Sequence, residues 1–407
     1  MMSGSVNAAR LIARIRALGQ IGRDPSGRLT RLAGSDQDRT GRDQLAAWAR
    51  QAGLTVQVDR VGNMLLVWEA GDGSPIMIGS HIDTVIDAGI YDGCYGVLAG
   101  LEVVETLREQ GVVPRRPVVI AAFTNEEGVR FAPDMMGSLV YAGGLSVEEA
   151  LGARATDGAV LGAELERIGY AGRYEPGWIR PAAYLELHIE QGPILAQEGV
   201  AIGAVENLQG ISWQRITIEG TANHAGTTPT VLRRDAGYAA ARITTYLRDL
   251  AVRSNGSTVA TVGTMQYEPG AINVIPGRVV MTVDLRDPDE ARLQAAERAL
   301  SGYLAGLEGQ ERVLISTERL SRFEPVRFDQ ELVGLIEAAA SGRGIRTRRM
   351  TSGAGHDAQM MARIAPAAMI FVPSRDGISH NPREFTSDDE LAAGANVLLD
   401  VTERLVR

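Results

Sequence analysis

The sequence predicts an α/β protein: a large domain with a mostly parallel sheet covered by helices, plus an inserted α+β sandwich. Three observations lead there. Apolar strand-like runs alternate with helix-like stretches over the first two hundred residues. After about residue 210 the strands become half-buried in pattern, and after about residue 328 the first pattern returns. At 407 residues the chain exceeds one ordinary core, so two domains are expected: 1–210 with 328–407, and 211–327.

Taken in order, Leu11, Ile12, Ile15 and Leu18 recur at helical spacing, so the N-terminal stretch is an amphipathic helix and not a secretion signal. NMLLVWEA (63–70), PIMIGSHID (75–83), RPVVIAAFT (116–124) and AAYLELHIE (182–190) are strands. Several are apolar throughout, which suits a sheet covered on both faces. GVLAGLEVVETLREQG (96–111) is a helix ended by Gly111. The stretch from Asn125 to Pro181 is Gly-rich and yields only two weak helical pieces. In the insertion, 211–220 alternates through Ile211, Trp213, Ile216 and Ile218. Strands at 257–268, 278–286 and 312–320 join it, with helices at about 233–250 and 289–307. Helices at 329–342, 354–363 and 388–405 and a strand at 367–373 complete the large domain.

Composition excludes several classes. Hydrophobic residues at 45% and charged residues at 22% are those of a globular protein. A net charge of -9 disfavours a nucleic-acid or anionic-membrane binder, and no apolar run reaches the ~18–20 residues that span a bilayer. The single cysteine, Cys94, allows no internal disulfide, which suits the cytoplasm.

Five histidines stand in polar or Gly-rich contexts: GSHIDTV, ELHIEQG, ANHAGTTP, GAGHDAQ and ISHNPREF, giving His81, His188, His224, His356 and His380. Any one alone would be a hydrogen-bonded loop histidine. Two carboxylate motifs accompany them. YDGCYGV sets Asp92 in a Gly-rich turn before a helix, and TNEEGVRF sets Glu126 and Glu127 just past an apolar strand. The C-terminal ends of such strands are where α/β folds place their sites. Two divalent metals need a shared carboxylate and private ligands. His81, His188 and His380 can supply imidazoles, and Asp92 and Glu127 carboxylates. Glu126 is then left to take a proton from the attacking water. Asp83, two residues from His81 on the same strand face, would accept the far N–H of that imidazole with its carboxylate.

Those motifs, with INVIPG, VDLR and SGAGHDA, occur in an order that resembles the metal-dependent amidase/hydantoinase/carbamoylase family of the peptidase M20 superfamily, from about residue 10 onward. The resemblance implies two divalent ions per subunit, Zn2+ or Mn2+, Co2+ or Ni2+. One would be held by His81, Asp92 and His188, the other by Asp92, Glu127 and His380, with Asp92 bridging and Glu126 as general base. It implies that the insertion is a lid that also forms a homodimer, with His224 reaching the partner subunit's site to polarise the scissile carbonyl. Gln191, Asn273 and Arg286, with Ser352, Gly353 and His356 of SGAGHDA, would hold the substrate. The implied reaction is cleavage of the carbamoyl C–N bond of an N-carbamoyl-L-amino acid, releasing amino acid, ammonia and carbon dioxide. Allantoate or a β-ureido acid are alternative substrates. An aminoacylase or peptidase of the superfamily and a non-catalytic binding protein are the other readings.

Several positions have structural alternatives. Arg286 could pair with Asp284 or Asp287, Asn273 and His224 could cap turns, and Gln191 could bond strand-end backbone. Tyr91 stands where relatives commonly have Phe, adding a hydroxyl near the metals. Cys94 is read as a small packing residue. Thr230 stands where Met is common, beside the substrate loop.

Overall fold

The computed structural model describes residues 4–407. The chain divides into two compact units. One runs to Glu206 and resumes at Arg327, and the other spans Asn207–Val326.

Four parallel strands form the centre of the first unit's sheet, in the order Val118–Phe123, Ile76–His81, Ala183–Ile189 and Ala367–Val372. Every residue of these strands is buried, so both faces must be apolar, and runs such as VVIAAF and AAMIFV meet that demand. The margins are antiparallel: Thr55–Val58 pairs with Met64–Trp68, which pairs with Val118–Phe123, and Ile202–Leu208 pairs with Ala367–Val372. "Mostly parallel" therefore describes the centre of this sheet and not its edges.

Parallel neighbours need crossovers. Helix Cys94–Glu109 carries the chain from Ile76–His81 to Val118–Phe123 and is buried along most of its length. Its buried Glu102 accepts from Arg10 at 2.7 and 2.8 Å and from the Asn7 backbone N–H at 2.9 Å. That anchors the N-terminal helix Ala8–Leu18, which buries Leu11, Ile15 and Leu18. Helix Asp36–Gln51 escaped the sequence reading because it buries Asp38 and Arg42 as well as Leu45, Ala46 and Ala49, so its apolar stripe is broken by charge. The Gly-rich stretch holds three short helices, Met136–Tyr141, Val147–Leu151 and Leu161–Ile168, not two. Strand Thr347–Ser352 is polar in sequence (TRRMTS) and was likewise not anticipated. Helix Asp357–Met361 is shorter than expected, because His356 stays extended.

The second unit is a four-stranded antiparallel sheet, ordered Leu314–Phe323, Gly210–Glu219, Arg278–Asp287 and Val259–Glu268. Helices Ala236–Arg253 and Glu290–Glu311 cover one face. Ile216, Ile218, Val279, Met281, Val283 and Leu285 meet Ile243, Leu247, Leu300 and Leu304 in its core. Trp213 does not belong to that core. Its parity differs from that of Ile216, which puts it on the other face, and it is 37% exposed.

No helix among the described residues is long and apolar enough to cross a membrane. The C-terminal helix Asp388–Val406 starts with a capping box: Glu390 N–H donates to Ser387 Oγ, and Ser387 N–H to the Glu390 carboxylate. Ser387→Ala is expected to cost about 1 kcal/mol, read as a lowered denaturant midpoint of the full chain.

Candidate metal centre

The site stands on the C-terminal ends of the four parallel strands, where the polarity of an α/β sheet leaves room for side chains to converge. His81 ends its strand, and Glu126 and Glu127 follow Val118–Phe123 after two residues. His188 lies one residue before the end of its strand. Ala367–Val372 leads into the loop that bears His380. Asp92 precedes the crossover helix. Gly93, beside it, has φ 63°, and a Cβ there would lie 2.4 Å from the His81 ring. Asn125, Gln191 and His380 also hold positive φ, so left-handed backbone gathers around this centre.

Glu186, His188 and His356 form one group of side chains that could hold a metal ion, and the two expected sets are two more: His81, Asp92 and His188, and Asp92, Glu127 and His380. Asp92 belongs to both, and its two oxygens divide between them. Oδ1 lies 3.4 Å from His81 Nε2 and 3.2 Å from His188 Nε2. Oδ2 lies 3.3 Å from His380 Nε2, which is itself 3.4 Å from Glu127 Oε2. The two buried imidazoles are turned by their outer nitrogens. His81 Nδ1 donates to the Asp83 carbonyl at 3.0 Å and His188 Nδ1 to the Ile189 carbonyl at 2.9 Å. Both rings thus present Nε2 inward. Glu127 Oε1 is buried with no hydrogen-bond partner. Imidazole nitrogens, a shared carboxylate and an orphaned carboxylate oxygen in one buried place fit divalent cations.

Electrostatics agree. Burial alone would raise the Asp92 carboxyl, but hydrogen bonds from His188, His380 and His81 hold it well below the usual range. Burial, with the Asp92 charge, pushes Glu127 up to about 8. Burial pushes Glu126 well above the carboxylate range, although the His81 charge opposes it. Glu126 Oε2 lies 3.4 Å from His81 Nε2. The hydrogen bond to Asp92 raises His380 to about 9. These shifts follow from burial and from the charges that the histidines and carboxylates place on one another.

Asp83 differs from expectation. Its backbone carbonyl, not its carboxylate, meets His81; Oδ1 stays 3.9 Å from that ring. The strand ends at His81, so the same-face rule does not reach Asp83. The carboxylate instead accepts from the Glu126 and Glu127 N–H groups at 3.2 and 3.3 Å, holding the loop that carries them. Gln191 Nε2 donates to Asp92 Oδ2 at 2.8 Å, while its backbone N–H donates to Ser374 Oγ. His356 is buried against His188, ring centroids 4.5 Å apart. Burial drives its pKa well below the usual value, and its Nε2 has no partner. Ser352 Oγ bonds the Ala354 backbone and so shapes the loop through Gly353.

The remaining expected residues lie in the second unit. His224 sits in a two-stranded ribbon, Asn223–His224 with Val274–Ile275, and Asn273 adjoins it, its carbonyl accepting from Ala225. His224 Nδ1 accepts the N–H groups of Gly226 and Thr227, which leaves the ring proton of the neutral form on Nε2. Arg286 is held by Asp284, Nε and Nη2 reaching its carboxylate at 3.0 and 2.9 Å. Thr230 lies in an exposed turn, Thr230–Leu232. Back in the first unit, Tyr91 packs edge-on against Phe385, and its hydroxyl feels burial first and then the Asp388 and Arg16 charges.

Sequence reading missed three supporting carboxylates. Glu384 Oε1 accepts the Tyr91 and Asp92 N–H groups, and Oε2 accepts Ser379 Oγ. Glu186 accepts Ser80 Oγ, Tyr184 OH and Ala358 N–H. Asp357 is fully buried with neither oxygen hydrogen-bonded. Glu186 had a usable signal: it interrupts an apolar strand two residues before His188, on the same face.

Metal binding to these sets must expel protons from His380 and Glu127. The raised His380 stabilises the metal-free fold fully below its unfolded value near 6.5, and that contribution is lost as pH rises through about 9. Metal affinity is therefore expected to climb as pH rises through about 8 to about 9, with proton release measurable in weak buffer. A pH-independent dissociation constant over that range would contradict this.

Comparison with known proteins agrees with the geometry. The model of Peptidase family M20/M25/M40 matches residues 77–404. An N-carbamoyl-L-amino-acid amidohydrolase of Rhizobium meliloti is 40% identical over 395 residues, covering 97% of this chain and 95% of the relative. The allantoate amidohydrolase of Bacillus subtilis is 34% identical, covering 96% of each chain. The crystal structure of an amidase of the hydantoinase/carbamoylase family from Burkholderia multivorans superposes with a TM-score of 0.95 at 42% identity, covering 99% of this chain and 98% of that one. With its strand-end ligand sets and its match across nearly the whole length, the chain belongs to peptidase family M20/M25/M40 and, within it, to the hydantoinase/carbamoylase amidases.

Proposed function

We propose that this amidohydrolase cleaves the carbamoyl C–N bond of N-carbamoyl-L-amino acids at a centre of two divalent cations. The observation that carries this reading is Asp92, whose two oxygens face two different ligand sets with Glu126 beside them. The higher identity to a relative that bears the carbamoyl-amino-acid name supports this substrate over allantoate.

His81, Asp92 and His188 would hold one ion and Asp92, Glu127 and His380 the other. Mixed nitrogen and oxygen ligands accept Zn2+, Mn2+, Co2+ or Ni2+. When bound, such ions acidify water and polarise a carbonyl. Glu126 takes a proton from the attacking water, as its raised basicity allows, and returns it to the leaving amino nitrogen. The C–N bond breaks to give the amino acid and carbamate, which falls to ammonia and carbon dioxide. Gln191 orients Asp92 from outside. Asp83 holds the Glu126–Glu127 loop.

In the second unit, His224 offers its Nε2–H to the developing oxyanion, and Arg286 offers the substrate carboxylate a fork that Asp284 holds in its absence. Asn273 stands beside His224 on the ribbon. We infer a homodimer in which this ribbon serves the partner subunit's site. Exposed Val231, Leu232 and Ile272 around His224 support that reading, since such residues are rarely left to water together. The one cysteine, buried and unpaired, is compatible with a cytoplasmic enzyme.

The test is ammonia release by the Mn2+-loaded chain from N-carbamoyl-L-amino acids, N-carbamoyl-β-alanine and allantoate in parallel. Release from the first class alone is expected; release from allantoate alone would move the assignment to that substrate. Glu126→Gln is expected to keep its metal content and lose about 100-fold or more in turnover. Mixing Glu126→Gln with His224→Ala subunits is expected to restore part of the activity that each lacks, because hybrid dimers contain one complete site. No recovery after subunit exchange would remove His224 from the partner's site.

A further inference from the structure

We propose that Arg31 is a positioning residue for the His81, Asp92 and His188 set, and that it makes the N-terminal segment, which precedes the region matched by the family model, part of the metal centre. The proposal rests on the two-cation reading above.

Arg31 is fully buried, 0% exposed, and among the described residues it has no carboxylate partner. A buried guanidinium without a counter-charge persists only where its donors are used. Here they are. Nε donates to the Ile82 carbonyl at 2.8 Å, the peptide between His81 and Asp83. Nη2 donates to Cys94 Sγ at 3.1 Å, at the first residue of the helix that follows Asp92 and Gly93. Nη1 donates to the Leu18 and Ile21 carbonyls at 3.0 and 2.7 Å, at and beyond the end of the N-terminal helix. The backbone joins in: Arg31 N–H donates to Thr84 Oγ1, and Thr84 N–H to the Arg31 carbonyl.

One planar fork thus spans the two segments that bear His81 and Asp92 and ties both to the N-terminal helix. The surroundings are cut to fit it. Gly41, inside helix Asp36–Gln51, faces the guanidinium stem, and a Cβ there would lie 2.9 Å from Arg31 Cδ. Fixing the Ile82 peptide also fixes the Asp83 carbonyl that turns His81. The expected consequence is selective. Loss of the fork frees His81 most, because Asp92 stays held by Glu384 at its backbone N–H and by Gln191 at Oδ2, and Glu127 and His380 hang from other strands.

The test uses the full chain and follows Mn2+ affinity by competition with a chromophoric chelator. His380→Ala leaves the His81, Asp92 and His188 set, and His81→Ala leaves the other. Arg31→Met is expected to weaken binding about 10- to 100-fold in the His380→Ala background and to change it less than about threefold in the His81→Ala background. Equal weakening in both, or none in the first, overturns the proposal. Arg31→Lys keeps the charge without the fork. It serves if the Met variant fails to fold, and the same selective loss is expected; parent-like affinity in the His380→Ala background overturns the proposal. A parent chain that takes up no Mn2+ overturns the two-cation reading itself, whereas a parent that binds two ions, with both Arg31 variants binding as it does, overturns only the role of Arg31.

Discussion

The Asp92 carboxylate is the constraint on which the first unit depends. It must face two ligand sets at once, so its backbone, its neighbours and the strands beneath it are held from several directions. Three imidazoles surround it, and their hydrogen bonds keep it ionised in a place where burial alone would protonate it. The same field falls on Glu126 and Glu127, which burial and like charge drive the other way. A cluster of carboxylates this close is costly in a protein interior unless cations join it.

Support for that cluster comes mostly from groups that never meet a substrate. Backbone carbonyls of Asp83 and Ile189 turn two rings. Glu384 holds the Asp92 backbone from the loop that bears His380. Arg31 reaches the same region from the opposite end of the chain. All 41 basic residues here are arginine, and a planar fork can serve several acceptors at fixed angles where an ammonium cannot. Four parallel strands give these contacts a rigid base, because their registers are locked by burial on both faces.

The second unit follows another logic. Its core is one layer of helices on one face of an antiparallel sheet, and the residues of functional interest lie at its margins. The ribbon of His224 and Asn273 is exposed, with a tautomer set by two backbone N–H groups. Arg286 is held by a neighbour two residues away on its own strand. Such groups are oriented by near neighbours in sequence, whereas His81, Asp92 and His188 of the first unit are buried and held from several elements.

Apolar periodicity and short motifs are local properties, so the family, the α/β plan with its insertion and the His, Asp and Glu residues that gather at the strand ends are legible in the sequence. It placed the four parallel strands, the four strands of the insertion and most of the long helices within a few residues. It failed where burial was polar: helix Asp36–Gln51, strand Thr347–Ser352, and the inward carboxylates Glu186 and Glu384 carry no apolar pattern. It misjudged Trp213 because the apolar set Ile211, Trp213, Ile216 and Ile218 mixes two strand parities, and Asp83 because the strand ends at His81. Folding in three dimensions sets which oxygen of Asp92 faces which histidine, that a carbonyl and not a carboxylate turns His81, and that Arg31 reaches the Ile82 carbonyl and Cys94. Most of the Asp92 and Arg31 contacts join residues far apart in the chain, and the His81–Asp83 contact, although local, depends on where the strand ends, so no local spacing records them.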